Sequence, residues 1–101
     1  LSAGGPLISP EAGVFVITPI CPHVLTNRSV IVPDGASITM RASSAQHGVC
    51  LTSDGRDVVF LDPGDVVRIR RAPELLWLVF PSDLSFFEVL RLKFKWSGTV
   101  V

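Results

Sequence analysis

The sequence predicts a mainly β domain, a two-layer, sandwich-like arrangement of about seven short strands closed by one C-terminal helix. Three observations predict it. Short runs rich in Val, Ile, Leu and Phe recur along the chain, and such residues suit a pleated, packed surface. Turn signals built from Gly, Pro and Asp separate these runs at intervals too short for helices. Only after Pro81 does the apolar spacing change to that of a helix.

Each element has a local reason. Gly4-Gly5-Pro6 and Ser9-Pro10 mark irregular backbone at the start. Val14 to Thr18 is a continuous β-branched and aromatic run, which predicts a strand covered on both faces. Pro19 stops it, and Pro22 with Thr26-Asn27-Arg28 enforces a loop. Ser29 to Val32 reads as a strand, followed by a Pro33-Asp34-Gly35 turn in which glycine is expected to take a positive φ. Ser37 to Arg41 alternates polar and apolar residues, so one face is expected to be wet. Ser43 to Gly48 is a polar connection.

Gly48 to Ser53 and Arg56 to Leu61 flank Asp54-Gly55. That dipeptide predicts a hairpin, because a type I′ turn needs positive φ at both central residues. Asp62-Pro63-Gly64-Asp65 is the next turn, and Val66 to Arg70 and Glu74 to Phe80 read as two further strands. Ser82 or Asp83 is then expected to cap a helix carrying Phe86, Phe87, Leu90 and Phe94 on one side, with Lys93, Lys95 and Trp96 at its end.

Composition narrows the function classes. A length of 101 residues is one domain's worth, and the whole chain, 1–101, is read as a single domain. Apolar residues make up 48% and charged residues only 18%, which points to a piece whose hydrophobic surface meets another domain or subunit. Nine basic residues balance nine acidic ones, so the chain lacks the basic footprint of a nucleic-acid binder. The one basic cluster, Arg68, Arg70 and Arg71, reads as a solvated strand face. The longest apolar run, Leu75 to Phe80, is strand length and far short of the roughly 20 residues of a membrane span. Two cysteines make no disulfide framework, and a reducing cytoplasmic compartment is expected.

Little chemistry is self-contained. Most acidic residues stand in turns, where backbone capping accounts for them, and no phosphate-cradling P-loop or serine-nucleophile elbow is present. Cys21, His23, His47 and Cys50 form a Cys₂His₂ set by count. Their spacing opposes a zinc site, because one intervening proline strains the approach of Cys21 and His23 to a single ion. Cys50, between Val49 and Leu51, is expected to be a small buried hydrophobe.

Several segments nevertheless carry one family's wording in order. Ser2-Ala3-Gly4-Gly5-Pro6, Thr18-Pro19-Ile20-Cys21-Pro22-His23, Leu25 with Asn27-Arg28, Val30 to Pro33, the Ser53-Asp54-Gly55 hairpin, Gly64-Asp65 and Leu90-Arg91-x-Lys93-x-x-Trp96 resemble the C-terminal domain of the NAD kinases. One departure is Ser29, where that family has a proline. The resemblance implies an enzyme that moves the γ-phosphoryl of ATP, or of polyphosphate, to the 2′-hydroxyl of the adenosine ribose of NAD, making NADP. It implies that ATP and Mg²⁺ are bound mainly by an N-terminal α/β domain, with a Gly-Gly-Asp-Gly motif, that is absent from this chain. The catalytic aspartate lies there too, so the fragment is expected to be inactive alone. It implies further that the β domain forms one wall of the NAD site and a homo-oligomer interface.

Four residues match positions lying against NAD in the family: Ser2, His23, Asp54 and Gly55. Each has a plainer reading beside it: a serine in a glycine packing contact, a structural hydrogen-bonding histidine, and a hairpin turn for the Asp54-Gly55 pair. Two other classes stay open at this level. One is the β domain of a diacylglycerol- or sphingosine-type lipid kinase. The other is a non-catalytic β-sandwich used for interaction or oligomerisation.

Overall fold

The computed structural model describes residues 3–43, 47–81, 83 and 85–95. It is mainly β with a C-terminal helix, as the sequence predicts: among the described residues six strands lie in three two-stranded antiparallel sheets. The chain divides into two compact units, one from residues 1–33 with 72–101 and the other from Asp34–Arg71.

In the first unit, β1 (Val14–Ile17) pairs with β2 (Val30–Pro33), running from Val14 opposite Pro33 to Ile17 opposite Val30. The pair is built from β-branched and aromatic residues, and Pro33 sits at the end of the ladder, where a missing N–H costs least. Thr18 falls outside β1, immediately before Pro19.

The same unit holds α1 (Phe86–Lys93). Its cap is Ser85, not Asp83, which lies in a turn; Ser82 is outside the described residues. Ser85 Oγ accepts from the Glu88 N–H at 3.1 Å, and Glu88 Oε2 accepts from the Ser85 N–H at 3.3 Å. This capping box satisfies donors that helix geometry leaves orphaned, an arrangement Asp83 is too far upstream to make. Glu88 in the first turn and Arg91 and Lys93 in the last oppose the helix dipole. Leu90 is the one buried hydrophobic side chain among the described residues, and Phe86 and Phe87 meet edge to face at 5.6 Å. The expected closing residue Trp96 lies outside the described residues.

The seventh expected strand is not formed. Glu74 to Phe80 has strand composition but no strand assignment, and its apolar side chains are exposed. Composition favours a strand only where a neighbouring edge exists to pair with.

In the second unit, β3 (Ile38–Arg41) pairs with β6 (Val66–Ile69), and β4 (Val49–Ser53) with β5 (Arg56–Leu61). On β6 burial alternates, with Val67 and Ile69 half-buried and Val66 and Arg68 exposed, but on β3 only Ile38 is half-buried: Met40, expected on the covered face, is exposed with Thr39 and Arg41. Asp54 and Gly55 both take positive φ, 49° and 73°, as the predicted hairpin turn requires. Between Leu51 and Ser53 the register slips, and Asp57, at φ 54°, is the extra β5 residue of a bulge.

At 62–65, Gly64 has φ 90°, the Asp65 N–H donates to the Asp62 carbonyl at 3.0 Å, and Asp65 Oδ2 accepts from the Asp62 N–H at 2.8 Å. That is a proline-glycine turn of the expected kind. Gly35, by contrast, is not at positive φ. There Asp34 is held by an ion pair to Arg71 at 2.6 Å, which ties together the two ends of this unit. Arg71 is thus ion-paired at the surface, and it is exposed together with Arg68 and Arg70, as predicted. Cys50 corrects the expectation of burial: it is exposed, as is Cys21. Its strand belongs to a ribbon of only two strands, which has too little cover to bury it.

Candidate functional site

The first unit contains a cleft of about 590 Å³, the size of a small-molecule site. Three stretches line it: Ala3-Gly4-Gly5-Pro6, the beginning of the 18–29 connection (Thr18, Pro19, Pro22), and its end running into β2 (Asn27, Arg28, Ser29, Ile31). The antiparallel pairing of β1 with β2 brings the two ends of that connection together. Thr18 Oγ1 and Ser29 Oγ then lie 3.0 Å apart in a part-buried hydrogen bond that closes the loop at its base.

Gly5 is required by this arrangement. A Cβ there would stand 2.9 Å from Thr18 Oγ1, closer than side-chain carbons approach, so only glycine lets the 3–6 segment lie against the hydroxyl pair. Gly4, at φ 80°, turns the chain into that position.

The lining combines two kinds of surface. Pro6, Pro19, Pro22 and Ile31 offer flat apolar contacts, and Thr18, Asn27, Ser29 and Arg28 offer hydroxyl, amide and guanidinium groups. Among the described residues no carboxylate lines the cleft and the one ion pair is Arg71 with Asp34, so the Arg28 guanidinium has no acidic partner there. Such a cleft suits a neutral or anionic molecule with a flat apolar part and many hydrogen-bonding groups. It does not suit Mg²⁺, which takes carboxylate and phosphate oxygens, and general acid–base chemistry has no group here to perform it.

Ser2 lies outside the described residues. His23 is exposed in the connection, and its neighbour Pro22, not His23 itself, lines the cleft. Asp54 and Gly55 form the β4–β5 turn of the other unit. Thr18, Asn27, Arg28 and Ser29 were not singled out as site residues. Their signal was the pairing of a strand-ending Thr-Pro with a polar Asn-Arg-Ser before the next strand.

The segments that build this cleft are also those matched by known proteins. The family model for the ATP-NAD kinase C-terminal domain matches residues 1–79. This chain belongs to that family. Among its relatives, proteins named NAD kinase from Syntrophotalea carbinolica and Geotalea daltonii are each 47% identical to it over 97 residues, and one from Geobacter metallireducens is 45% identical over 97 residues. Each match covers 96% of this chain and 34% of the relative, so the chain spans about a third of the length of the curated relatives it matches. An ATP-NAD kinase C-terminal domain is therefore what folds around this cleft. Among the described residues no helix is long and apolar enough to cross a membrane.

Proposed function

We propose that this chain is the substrate-side part of an NAD kinase, an enzyme that transfers the γ-phosphoryl of ATP, or polyphosphate, to the 2′-hydroxyl of the adenosine ribose of NAD. The observation that carries the reading is the cleft between Gly4-Gly5 and the 18–29 connection, built from segments within the family match. In this reading Thr18, Ser29 and Asn27 hydrogen-bond the dinucleotide, the prolines and Ile31 pack on its flat part, and Arg28 offsets its negative charge. Ser2, His23 and the Asp54-Gly55 turn are further proposed contacts with NAD. Phosphoryl transfer is catalysed mainly by positioning and charge stabilisation, so a wall that orients the acceptor contributes to rate without supplying a catalytic group. ATP and Mg²⁺ are assigned to the part of the enzyme outside these residues, which matches the lack of carboxylates in the cleft. A cytoplasmic homo-oligomer completes the proposal.

The test is a phosphorylation assay on the full-length protein with ATP, comparing NAD with diacylglycerol and sphingosine. Formation of NADP alone supports the reading, and lipid phosphorylation alone overturns it. Replacing Arg28 by Ala is expected to raise KM for NAD about tenfold with kcat little changed, the mark of a lost binding contact. An unchanged KM removes Arg28 from the site.

A further inference from the structure

Thr18 Oγ1 and Ser29 Oγ close the base of the 18–29 connection, yet their bond to each other does not exhaust them. The two oxygens are 3.0 Å apart, and either can be the donor. Each hydroxyl carries one O–H and two acceptor lone pairs. Their mutual bond uses one proton and one lone pair, so the pair keeps one O–H and three lone pairs. Both residues line the cleft, so that capacity stands beside the space for a ligand. Gly5, whose Cβ would stand 2.9 Å from Thr18 Oγ1, flanks the same hydroxyl and helps fix its place.

Two adjacent oxygens with one spare proton match a particular ligand edge, a donor beside an acceptor. In a primary amide the nitrogen and oxygen are about 2.3 Å apart, and the amino group and ring nitrogen of an aminopurine are spaced alike. One hydroxyl then donates to the acceptor, the other accepts from the donor, and the bond between the hydroxyls completes a ring. Because that bond can run either way, the mirror order of donor and acceptor fits as well. An edge with two acceptors does not fit. The spare proton satisfies one of them and leaves the other against a lone pair. Pro6, Pro19, Pro22 and Ile31 supply flat apolar contacts for the ring that carries such an edge.

We propose that the Thr18–Ser29 hydroxyl pair determines specificity by reading a donor–acceptor edge on the flat part of the ligand. This rests on the reading of the cleft as one wall of an NAD site, and it adds the chemistry that the wall selects. NAD carries two such edges, the amino edge of its adenine and the carboxamide of its nicotinamide.

Calorimetric titration of the full-length protein with NAD and two analogues tests it and tells the two edges apart. One analogue has nicotinate in place of nicotinamide, the other unsubstituted purine in place of adenine, and each then offers acceptors alone at that edge. At least one of them is expected to bind about tenfold more weakly than NAD. In Thr18→Val and in Ser29→Ala that ratio should shrink to about twofold or less, whereas Ser29→Thr should keep it. Equal binding of NAD and both analogues overturns the proposal, and so does a ratio that survives the loss of either hydroxyl. NADP formation measured on the same samples separates the two readings. Phosphorylation without this selectivity ends the present proposal alone, selective binding without phosphorylation ends the kinase reading alone, and no binding of NAD ends both.

Discussion

The β1–β2 pair and the β4–β5 hairpin are both two-stranded antiparallel ribbons, yet their connections have opposite characters. Asp54-Gly55 closes β4 onto β5 by backbone geometry alone, with φ values only a few residues tolerate. The 18–29 connection has no such local solution. It is closed by the Thr18–Ser29 hydroxyl pair and by the 3–6 segment lying against Thr18 through Gly5. The first ribbon needs non-local contacts to hold its loop and gains a cleft from them. The second needs none, because its turn is closed locally. Long connections fixed by distant contacts are where binding groups gather, because a scaffold must position them.

Five substitutions in the full-length protein probe that contrast. The largest effect is expected for Gly5→Val, which drives a branched side chain into Thr18 Oγ1. A loss of about 3 kcal/mol of stability and a KM for NAD raised tenfold or more should follow, read by thermal melting and steady-state kinetics. A normal KM would separate the 3–6 segment from the site.

Gly55→Val comes next, at about 2 kcal/mol, because a β-branched residue at φ 73° is strained. Denaturant melts should report the loss. If NAD kinetics worsen as well, the hairpin tip serves the site, as proposed for Asp54 and Gly55. Thr18→Val and Ser29→Ala should each cost about 1 kcal/mol, and the double variant less than their sum. Additive losses in that cycle would show that the hydroxyls do not act as a pair. The smallest effect, about 0.5 kcal/mol, is expected for Arg71→Ala, since its ion pair with Asp34 is partly exposed. Melting in raised salt should shrink that difference further.

How much was legible beforehand follows the same divide. The Asp54-Gly55 hairpin, the Asp62–Asp65 turn and the amphipathic C-terminal helix are short-range patterns, and all three are present. The cap moved from Asp83 to Ser85 because the reciprocal bond with Glu88 needs a spacing of three residues. Pro33-Asp34-Gly35 misled on the glycine's φ, since proline followed by Asp-Gly fits more than one turn type. Family wording pointed to Ser2, His23, Asp54 and Gly55, and the cleft lining adds Thr18, Asn27, Arg28 and Ser29, which no motif had singled out as site residues. Motifs mark segments, and which side chain in a segment faces inward depends on the backbone around it.

By itself, then, the sequence determined the β character, the turns, the closing helix and the family, because these depend on residues near one another or on their order. Only the tertiary structure decided that Thr18 meets Ser29, that Gly5 must lack a side chain, and that Glu74–Phe80 finds no strand partner among the described residues. Those outcomes depend on which surfaces meet across long stretches of sequence. Pairing and packing free energies of that kind are not written in any one segment.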